Sequence, residues 1–553
     1  MTELCSFNQT LEKNAANYVS LSPLSFIKRA ASVYPNTAAV VYNDLSFSWS
    51  QTYARCCQLA SVLKSFNIAR GDTVSVMLPN IPAMYEAHFG IPMVGAVLNA
   101  INTRLDADTI ASIFNHSRTR LLLMDSEYAD VIEAALLLVE GPAPIIINVC
   151  DPSCTTGKSI GKLEYEALLS QQCEDIEWQL PADEWDAIAL GYTSGTTGNP
   201  KGVVSHHRGA YLNAMSNVLS WNLASKVIYL WTLPMFHCNG WCFPWTLAAI
   251  GGTNVCLRKV DPERIHQLLR QHGVSHYCGA PIVHSMIADA AVNQNTPIKH
   301  KIAGLIAGAP PPASVLERMQ LLGIELTHVY GLTETYGPAT VCVKQDDWAA
   351  RPLQEQIELN GRQGVSYPLQ EEVTVLDPET MVPVAADGKT VGEIMFRGNI
   401  VMKGYLRNAA ATEEAFAGGW FHTGDLAVMY ADGYIKITDR SKDVIISGGE
   451  NISSLEVGDI IQRHPEVEIA AVVAMADNKW GEVPAAFVQL SAGSKLSEEA
   501  LINFCRANMS RFKVPKKIIF GNLPTTSTGK IQKFVLRQRL STAASDLEQR
   551  KLN

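Results

Sequence analysis

The chain has 553 residues, 47% hydrophobic and 18% charged, which is enough apolar material for a large core in more than one domain and is not the composition of a disordered chain. A formal net charge of −9 without any run of like charges argues against a nucleic-acid surface. The twelve cysteines are scattered with no CxxC pair, the pattern of reduced thiols; no signal-peptide start and no apolar run long enough for a membrane span is visible, so the expected compartment is the cytoplasm.

In chain order, "TYARCCQLASVLKSFNI" (52–68) has helical spacing, and "DTVSVMLP", "LLLMD" and "PIIINVC" read as strands. Farther on, "KVIYLWTLP", "TNVCLR", "VSHYCGAP" and "IAGLIAGAP" read as strands and "PERIHQLLRQHG" and "SVLERMQLLG" as helices, so this part is a layered α/β fold. From about residue 361 the texture changes to short strands and turns, "EEVTVLDPET", "VGEIMFRGN" and "GYIKITDR", implying a small antiparallel β subdomain. A boundary is expected near residues 439–453, dividing the chain into an N-terminal domain (1–440) and a small α+β C-terminal domain (441–553). The expected order in the second is helix, strand, strand, helix, strand, ending in "PTTSTGKIQKFVLRQRL" with Lys530 on a turn before a helix.

The stretch "YTSGTTGNPKGVV" (192–204) lies between the apolar alternation "WDAIAL" and the helical "HHRGAYLNAMSNVL", and so reads as a strand-to-helix loop. Gly195, Gly198 and Gly202 let backbone N–H groups turn toward an anion, Thr193, Ser194, Thr196 and Thr197 add hydroxyl donors, and Lys201 adds a point charge. That combination suits a polyphosphate; the alternative is a polar surface turn. It is not a Walker A loop, because Pro200 stands at the second glycine position and Gly202, with no hydroxyl for magnesium, follows Lys201. In "PMFHCNGWCFPW", His237, Cys238 and Cys242 lack a fourth ligand for a zinc site. Taken singly, Asp425, Arg440 and Lys530 read as solvated or turn residues, Tyr330 as a core aromatic, and Gly448 and Gly449 as a flexible turn or a close-approach site; for Glu334, set among Gly and Thr, a solvated carboxylate beside a turn is the alternative.

Taken together, the glycine loop, "PMFHCNGW", "AGAPPP", "VYGLTETYG", "FHTGDL", "ITDRSKDVIISGGENIS" and "TSTGK" resemble the adenylate-forming superfamily of acyl-CoA synthetases, peptide-synthetase adenylation domains and luciferases, over nearly the whole chain. The resemblance implies two half-reactions: a carboxylate attacks the ATP α-phosphate to give acyl-AMP and pyrophosphate, and a thiol then displaces AMP. It implies ATP or AMP contacts at Thr193, Ser194, Gly195, Thr196, Thr197, Gly198 and Lys201, with Tyr330 and Gly331 on one side of adenine and Gly308, Ala309 and Pro310 on the other. Asp425 would hold the ribose hydroxyls, Arg440 the ribose or phosphate, Thr333 a phosphate, and Glu334 the magnesium ion. Lys530 would be the catalytic lysine that bridges carboxylate and α-phosphate, and Lys442 the hinge about which a mobile C-terminal domain rotates between half-reactions.

For the acyl group, the resemblance puts His237 at the pocket entrance with Gly240, Trp241 and Trp245 shaping the walls; for coenzyme A, Ser447, Gly448, Gly449 and Glu450 would flank the pantetheine arm. The expected ligands are ATP, Mg2+, coenzyme A as cosubstrate and a small or medium carboxylic acid, since the acyl cluster looks most like that of short-chain, aryl and methylthio-propionate CoA ligases. A homodimer is the expected assembly. The rival readings are a module that hands its acyl group to a carrier protein, a non-catalytic binder of ATP or acyl-adenylate, and a luciferase-like oxygenase. The chain runs only about twenty residues past Lys530 with no carrier pattern, which favours free coenzyme A.

Overall fold

The computed structural model describes residues 11–540 apart from 155, 175, 194–199, 293–299, 309–312, 478, 492 and 527–529. Apolar runs without alternation become strands buried on both faces: every residue of Thr73–Met77 is buried. This strand lies in a seven-stranded sheet with the order Gly404–Tyr405, Gly202–His206, Ala187–Tyr192, Val97–Ala100, Thr73–Met77, Thr119–Asp125 and Ile145–Val149 among the described residues. The last five run parallel, and the first two are added antiparallel. A nine-stranded sheet carries Ile302–Ile306 parallel to Ile324–Leu332, which turns back antiparallel through Gly337–Val341.

The largest apolar core lies between these sheets and the helices Leu24–Val33, Trp49–Ser65, Pro82–Gly90 and Phe243–Ile250. The helix expected over 52–68 is Trp49–Ser65, and it starts earlier for a local reason. Ser48 caps it, accepting the Gln51 N–H at 3.3 Å while the Gln51 side chain accepts the Ser48 N–H at 2.8 Å. At one edge the sheets are joined by Arg258, which follows a strand of the nine-stranded sheet. Its guanidinium donates to Asp125 at 2.7 and 2.8 Å, Asp151 at 2.6 Å and Glu127 at 2.7 Å, all at the strand ends of the other sheet.

The glycine loop corrects one expectation. It joins two antiparallel strands rather than a strand and a helix: Ala187–Tyr192 pairs with Gly202–His206, Tyr192 opposite Gly202 and Leu190 opposite Val204, and helix His207–Ser220 begins only afterwards. Val203 and Val204 are β-branched and satisfy their backbone in the sheet.

The antiparallel subdomain consists of Glu372–Leu376, Val391–Arg397, Phe421–Met429 and Ile435–Arg440. The chain then changes sheets within five residues, because Ile445–Ser447 belongs to a separate five-stranded sheet. The C-terminal elements follow the expected order: helix Ser454–Gln462, strands Val467–Asp477 and Gly481–Leu490, helix Glu498–Asn508 and strand Lys517–Phe520, with a helical stretch at 533–540. Alternate residues of the long strands feed two cores, Val472 and Val488 on one face, Val473 and Phe487 on the other with Leu536 and Leu540. One feature adds to the expectation: Ile445–Ser447 and Glu450–Ile452 form a hairpin whose two-residue loop is Gly448-Gly449.

Candidate active site

Gly202–His206 and Ala187–Tyr192 bring the two ends of the glycine loop together, with the Thr193 N–H donating to the Lys201 carbonyl at 3.1 Å. Ser194, Gly195, Thr196, Thr197 and Gly198 lie outside the described residues, as do Ala309 and Pro310. Beside the loop base runs the short turn Thr333–Thr335, so close that a β-carbon on Gly191 would stand 3.0 Å from Thr333 Cγ2. That turn follows strand Ile324–Leu332, where Gly331 admits no side chain: a β-carbon there would lie 1.9 Å from the Gly337 carbonyl oxygen.

Glu334 therefore sits next to Lys201. The Tyr405 hydroxyl donates to Glu334 Oε1 at 2.9 Å, and the Lys201 ammonium stands 4.7 Å from the centre of the Tyr405 ring. Burial pushes the Glu334 carboxyl above its ordinary value, opposed by the Tyr405 hydrogen bond and the Lys201 charge. A carboxylate oxygen beside Lys201 is a hard donor of the kind Mg2+ takes together with phosphate oxygens, so the residues fit that ion. Tyr405 was not singled out in the sequence; it stands 71 positions from Glu334 and nothing local marks it.

Across the cleft, Asp425 and Arg440 face each other on paired strands and form an ion pair, with Arg440 Nε 3.2 Å from Asp425 Oδ1. The second carboxylate oxygen accepts the Tyr330 hydroxyl at 2.6 Å. Tyr330 thus approaches Asp425 edge-on while its ring lies near that of Phe396, 6.1 Å between centroids. Tyr330, Asp425 and Arg440, with Gly308, Gly331 and Lys530, line a cavity of ≈ 870 Å³ between the antiparallel subdomain and the C-terminal elements.

Lys530 is held by its own backbone: its N–H donates to Thr526 Oγ1 at 3.0 Å, and its carbonyl accepts the Thr526 N–H at 2.7 Å. Burial, reinforced by Arg440, lowers the ammonium to about 8. Lys530 also acts on His237, whose imidazole is pushed down to about 4 by burial and then by the lysine charge. Next to His237, Cys238 Sγ lies 3.7 Å from Thr333 Oγ1, so the turn bearing His237 meets the turn bearing Glu334.

Residues 238–242 all take positive φ, from 41° at Cys238 and Asn239 to 63° at Cys242, a left-handed turn containing four non-glycine residues. Gly240 is there because a β-carbon would come within 2.8 Å of the Trp231 ring. Trp241 runs beside Gly337, its carbonyl held by Asn217 at 2.9 Å. Trp245 lies one layer deeper, against Tyr336 (5.4 Å) and His88 (6.0 Å).

Lys442 is the middle of the turn between the antiparallel sheet and the C-terminal sheet. Ser447, Gly448, Gly449 and Glu450 form the hairpin tip away from the cleft cavity, with Gly448 and Gly449 at φ of 60° and 88°. Trp480, a second residue the sequence did not reveal, covers this tip: its carbonyl accepts the Gly448 N–H at 2.7 Å.

The AMP-binding enzyme family matches residues 27–406, and the AMP-binding enzyme C-terminal domain matches residues 456–530. The chain belongs to the AMP-binding enzyme family. This AMP-binding enzyme is 49% identical over 547 residues to the peroxisomal acetate/butyrate–CoA ligase AAE7 of Arabidopsis thaliana, covering 96% of each chain. Among solved structures, it resembles the anthranilate CoA ligase AuaEII in complex with anthranoyl-AMP, with a TM-score of 0.83 at 22% identity over 97% of this chain and 100% of that one. It also resembles the o-succinylbenzoate coenzyme A synthetase MenE of Bacillus subtilis in complex with ATP and magnesium, with a TM-score of 0.78 at 25% identity over 92% of this chain and 98% of that one. The expected superfamily and two-part α/β fold are thereby borne out.

Proposed function

We infer that this AMP-binding enzyme is an AMP-forming carboxylate–CoA ligase for small acids, with the roles set out below. The observation that carries the reading is convergence: Lys530, from the C-terminal elements, enters the cavity walled by Tyr330, Asp425 and Arg440, while Glu334 and Lys201 stand at the base of the glycine loop.

In the first half-reaction, two anions, a carboxylate and a triphosphate, must meet. Asp425 exchanges its bonds from Tyr330 and Arg440 for the ribose hydroxyls, which frees the Tyr330 ring to cover adenine. Lys201 and the loop donors hold the outer phosphates, and Glu334, oriented by Tyr405, would hold Mg2+, which would supply charge neutralisation there. Lys530 then reaches both the acid oxygen and the α-phosphate oxygen. The acid oxygen forms the bond to phosphorus, and pyrophosphate leaves with the bonding electrons. In the second half-reaction the C-terminal part turns about Lys442, Lys530 withdraws, and the Gly448-Gly449 hairpin delivers the thiol, which displaces AMP from the acyl carbon.

The choice of small acids is supported by Trp241 against Gly337 beside His237, and by a close relative that is named for acetate and butyrate. The boundary between the two moving parts lies at 440/441, the assembly is a homodimer, and the compartment is the cytoplasm; the relative's peroxisomal location makes a fluorescent fusion at the N-terminus the test of the last. Among the described residues no helix is long and apolar enough to cross a membrane.

The deciding experiment measures acid-dependent pyrophosphate release with straight-chain, aryl and methylthio acids, with and without coenzyme A, scoring AMP and thioester in parallel. A maximum among acids of two to four carbons, with thioester only when coenzyme A is present, supports the reading. Pyrophosphate without thioester transfers the second half-reaction to a carrier thiol, and no pyrophosphate with any acid leaves a binding protein.

A further inference from the structure

We propose that Asp439, Ser454 and Lys533 form a clasp that positions Lys530 for the first half-reaction, an inference that rests on the ligase reading above. Asp439 is the residue before Arg440 on strand Ile435–Arg440 and is buried. Its carboxylate accepts the Ser454 N–H at 2.5 Å and the Ser454 hydroxyl at 2.7 and 3.0 Å. The Ser454 oxygen in turn accepts a hydrogen bond from Lys533 Nζ at 2.6 Å. One residue earlier on each side, the Ser453 hydroxyl donates to the Thr438 carbonyl at 2.5 Å. The strand that carries Arg440 therefore grips the start of helix Ser454–Gln462, and that helix grips the residue three positions beyond Lys530.

A second tie crosses the same turn. Arg537, one helical turn after Lys533, is ion-paired with Asp443 and donates to the Lys442 carbonyl at 3.4 Å. Because Thr526 and Lys530 close their own loop and Thr525 bridges Ile531, the direction of the Lys530 side chain follows whatever fixes residues 530–533. Lys533 is the fixed point. Lys533 lines the same cavity as Lys530, but its ammonium is spent on the Ser454 oxygen rather than on Tyr330, Asp425 or Arg440, so its role is positional rather than catalytic.

The partners lie on opposite sides of Lys442. Asp439 belongs to the antiparallel sheet; Ser454 and Lys533 belong to the C-terminal part. Rotation about Lys442 separates them, so the clasp is closed in the arrangement that makes acyl-AMP and open in the one that consumes it. Its loss then acts on one half-reaction and not on the other, which a merely structural contact would not do.

The test uses the full chain. Lys533→Met lowers acid-dependent ATP–pyrophosphate exchange by about tenfold or more, while thioester formation from supplied acyl-AMP and coenzyme A stays within about twofold, as expected for loss of one charged hydrogen bond. Lys533→Arg restores most of the exchange. Ser454→Ala keeps the backbone bond to Asp439 and gives a smaller loss in the same direction; it decides the matter if Lys533→Met does not fold. Amide hydrogen exchange at residues 453–457 speeds up in Lys533→Met, a readout that needs no activity and still judges the clasp should the unmodified chain release no pyrophosphate with any acid. Equal loss of both half-reactions, or unchanged exchange and unchanged amide protection, overturns the proposal.

Discussion

An ammonium held beside a guanidinium gives up its proton more readily than one in water, and Lys530 beside Arg440 is in that position, with burial bringing it to about 8. The charged form is the one that can bridge two anions, so kcat/KM for acid-dependent pyrophosphate release is expected to be level below that value and to fall above it. Stability runs the other way. The unfolded lysine titrates near 10.4, so between about 8 and about 10.4 the unfolded chain binds more protons, and this group makes stability rise with pH. A pH profile that falls while the melting temperature holds separates the two effects; a fall that tracks unfolding would defeat the assignment. Lys530→Ala removes the charge altogether and should cut acyl-AMP formation by about a hundredfold or more while sparing thioester formation from supplied acyl-AMP. Tyr405→Phe leaves Glu334 without its hydroxyl donor. The magnesium concentration for half-maximal pyrophosphate release should rise by about tenfold, and an unchanged magnesium requirement would show that Tyr405 does not orient the carboxylate. That contact could not be read from sequence, since the tyrosine and the carboxylate come from different sheets. Glu334, Asp425 and Lys530 could be, because each lies in a short motif whose order along the chain is itself informative.

At the scale of elements, what was legible was what repeats. Helix Pro262–Gln271 has an apolar face at 265, 268 and 269 and an aspartate cap at 261, and the parallel strands have long apolar runs. The two elements that escaped notice are short strands whose partners are set by tertiary structure. Gly202–His206 offers only two valines and lies between Ala187–Tyr192 and the two-residue strand Gly404–Tyr405, and Ile445–Ser447 pairs with a strand three residues long. The left-handed turn at 238–242 escaped as well, because only Asn239 and Gly240 favour that conformation. The Gly448-Gly449 hairpin gives an element-level prediction. A β-carbon at 448 would meet the Trp480 ring at 2.7 Å and force a side chain into positive φ, so Gly448→Ala should destabilise the hairpin by about 1 kcal/mol or more and slow thioester formation. Pyrophosphate exchange, which does not use the tip, should be kept; a variant impaired in exchange alone would assign the hairpin to the wrong half-reaction.

For the whole molecule, the contrast is between a seam that is fixed and one that is not. Arg258 joins the two large sheets through three buried or half-buried carboxylates, whereas the C-terminal part meets the rest around a cavity and a four-residue turn. A ligand filling that cavity touches both sides. A non-hydrolysable acyl-adenylate analogue at a hundred times its Kd should therefore add about 2.7 kcal/mol and raise the melting of both parts together. Two transitions of which only one responds would place the ligand on a single domain.

The left-handed turn beside His237 has a bearing on how such a chain diversifies. Each residue other than glycine or asparagine in that conformation costs about 1–2 kcal/mol, which applies to Cys238, Trp241 and Cys242; Asn217 holds the Trp241 carbonyl, and the Trp231 ring leaves room at 240 only for glycine. The backbone is thus a loaded spring whose release needs no change in the size of any wall residue. Substitutions at Asn217 or Trp231, neither of which belongs to the wall set of 240, 241 and 245, would let the turn relax and the wall move with it. Lineages descended from one ancestor can in this way drift toward bulkier or leaner acids through mutations that an inventory of pocket residues would pass over.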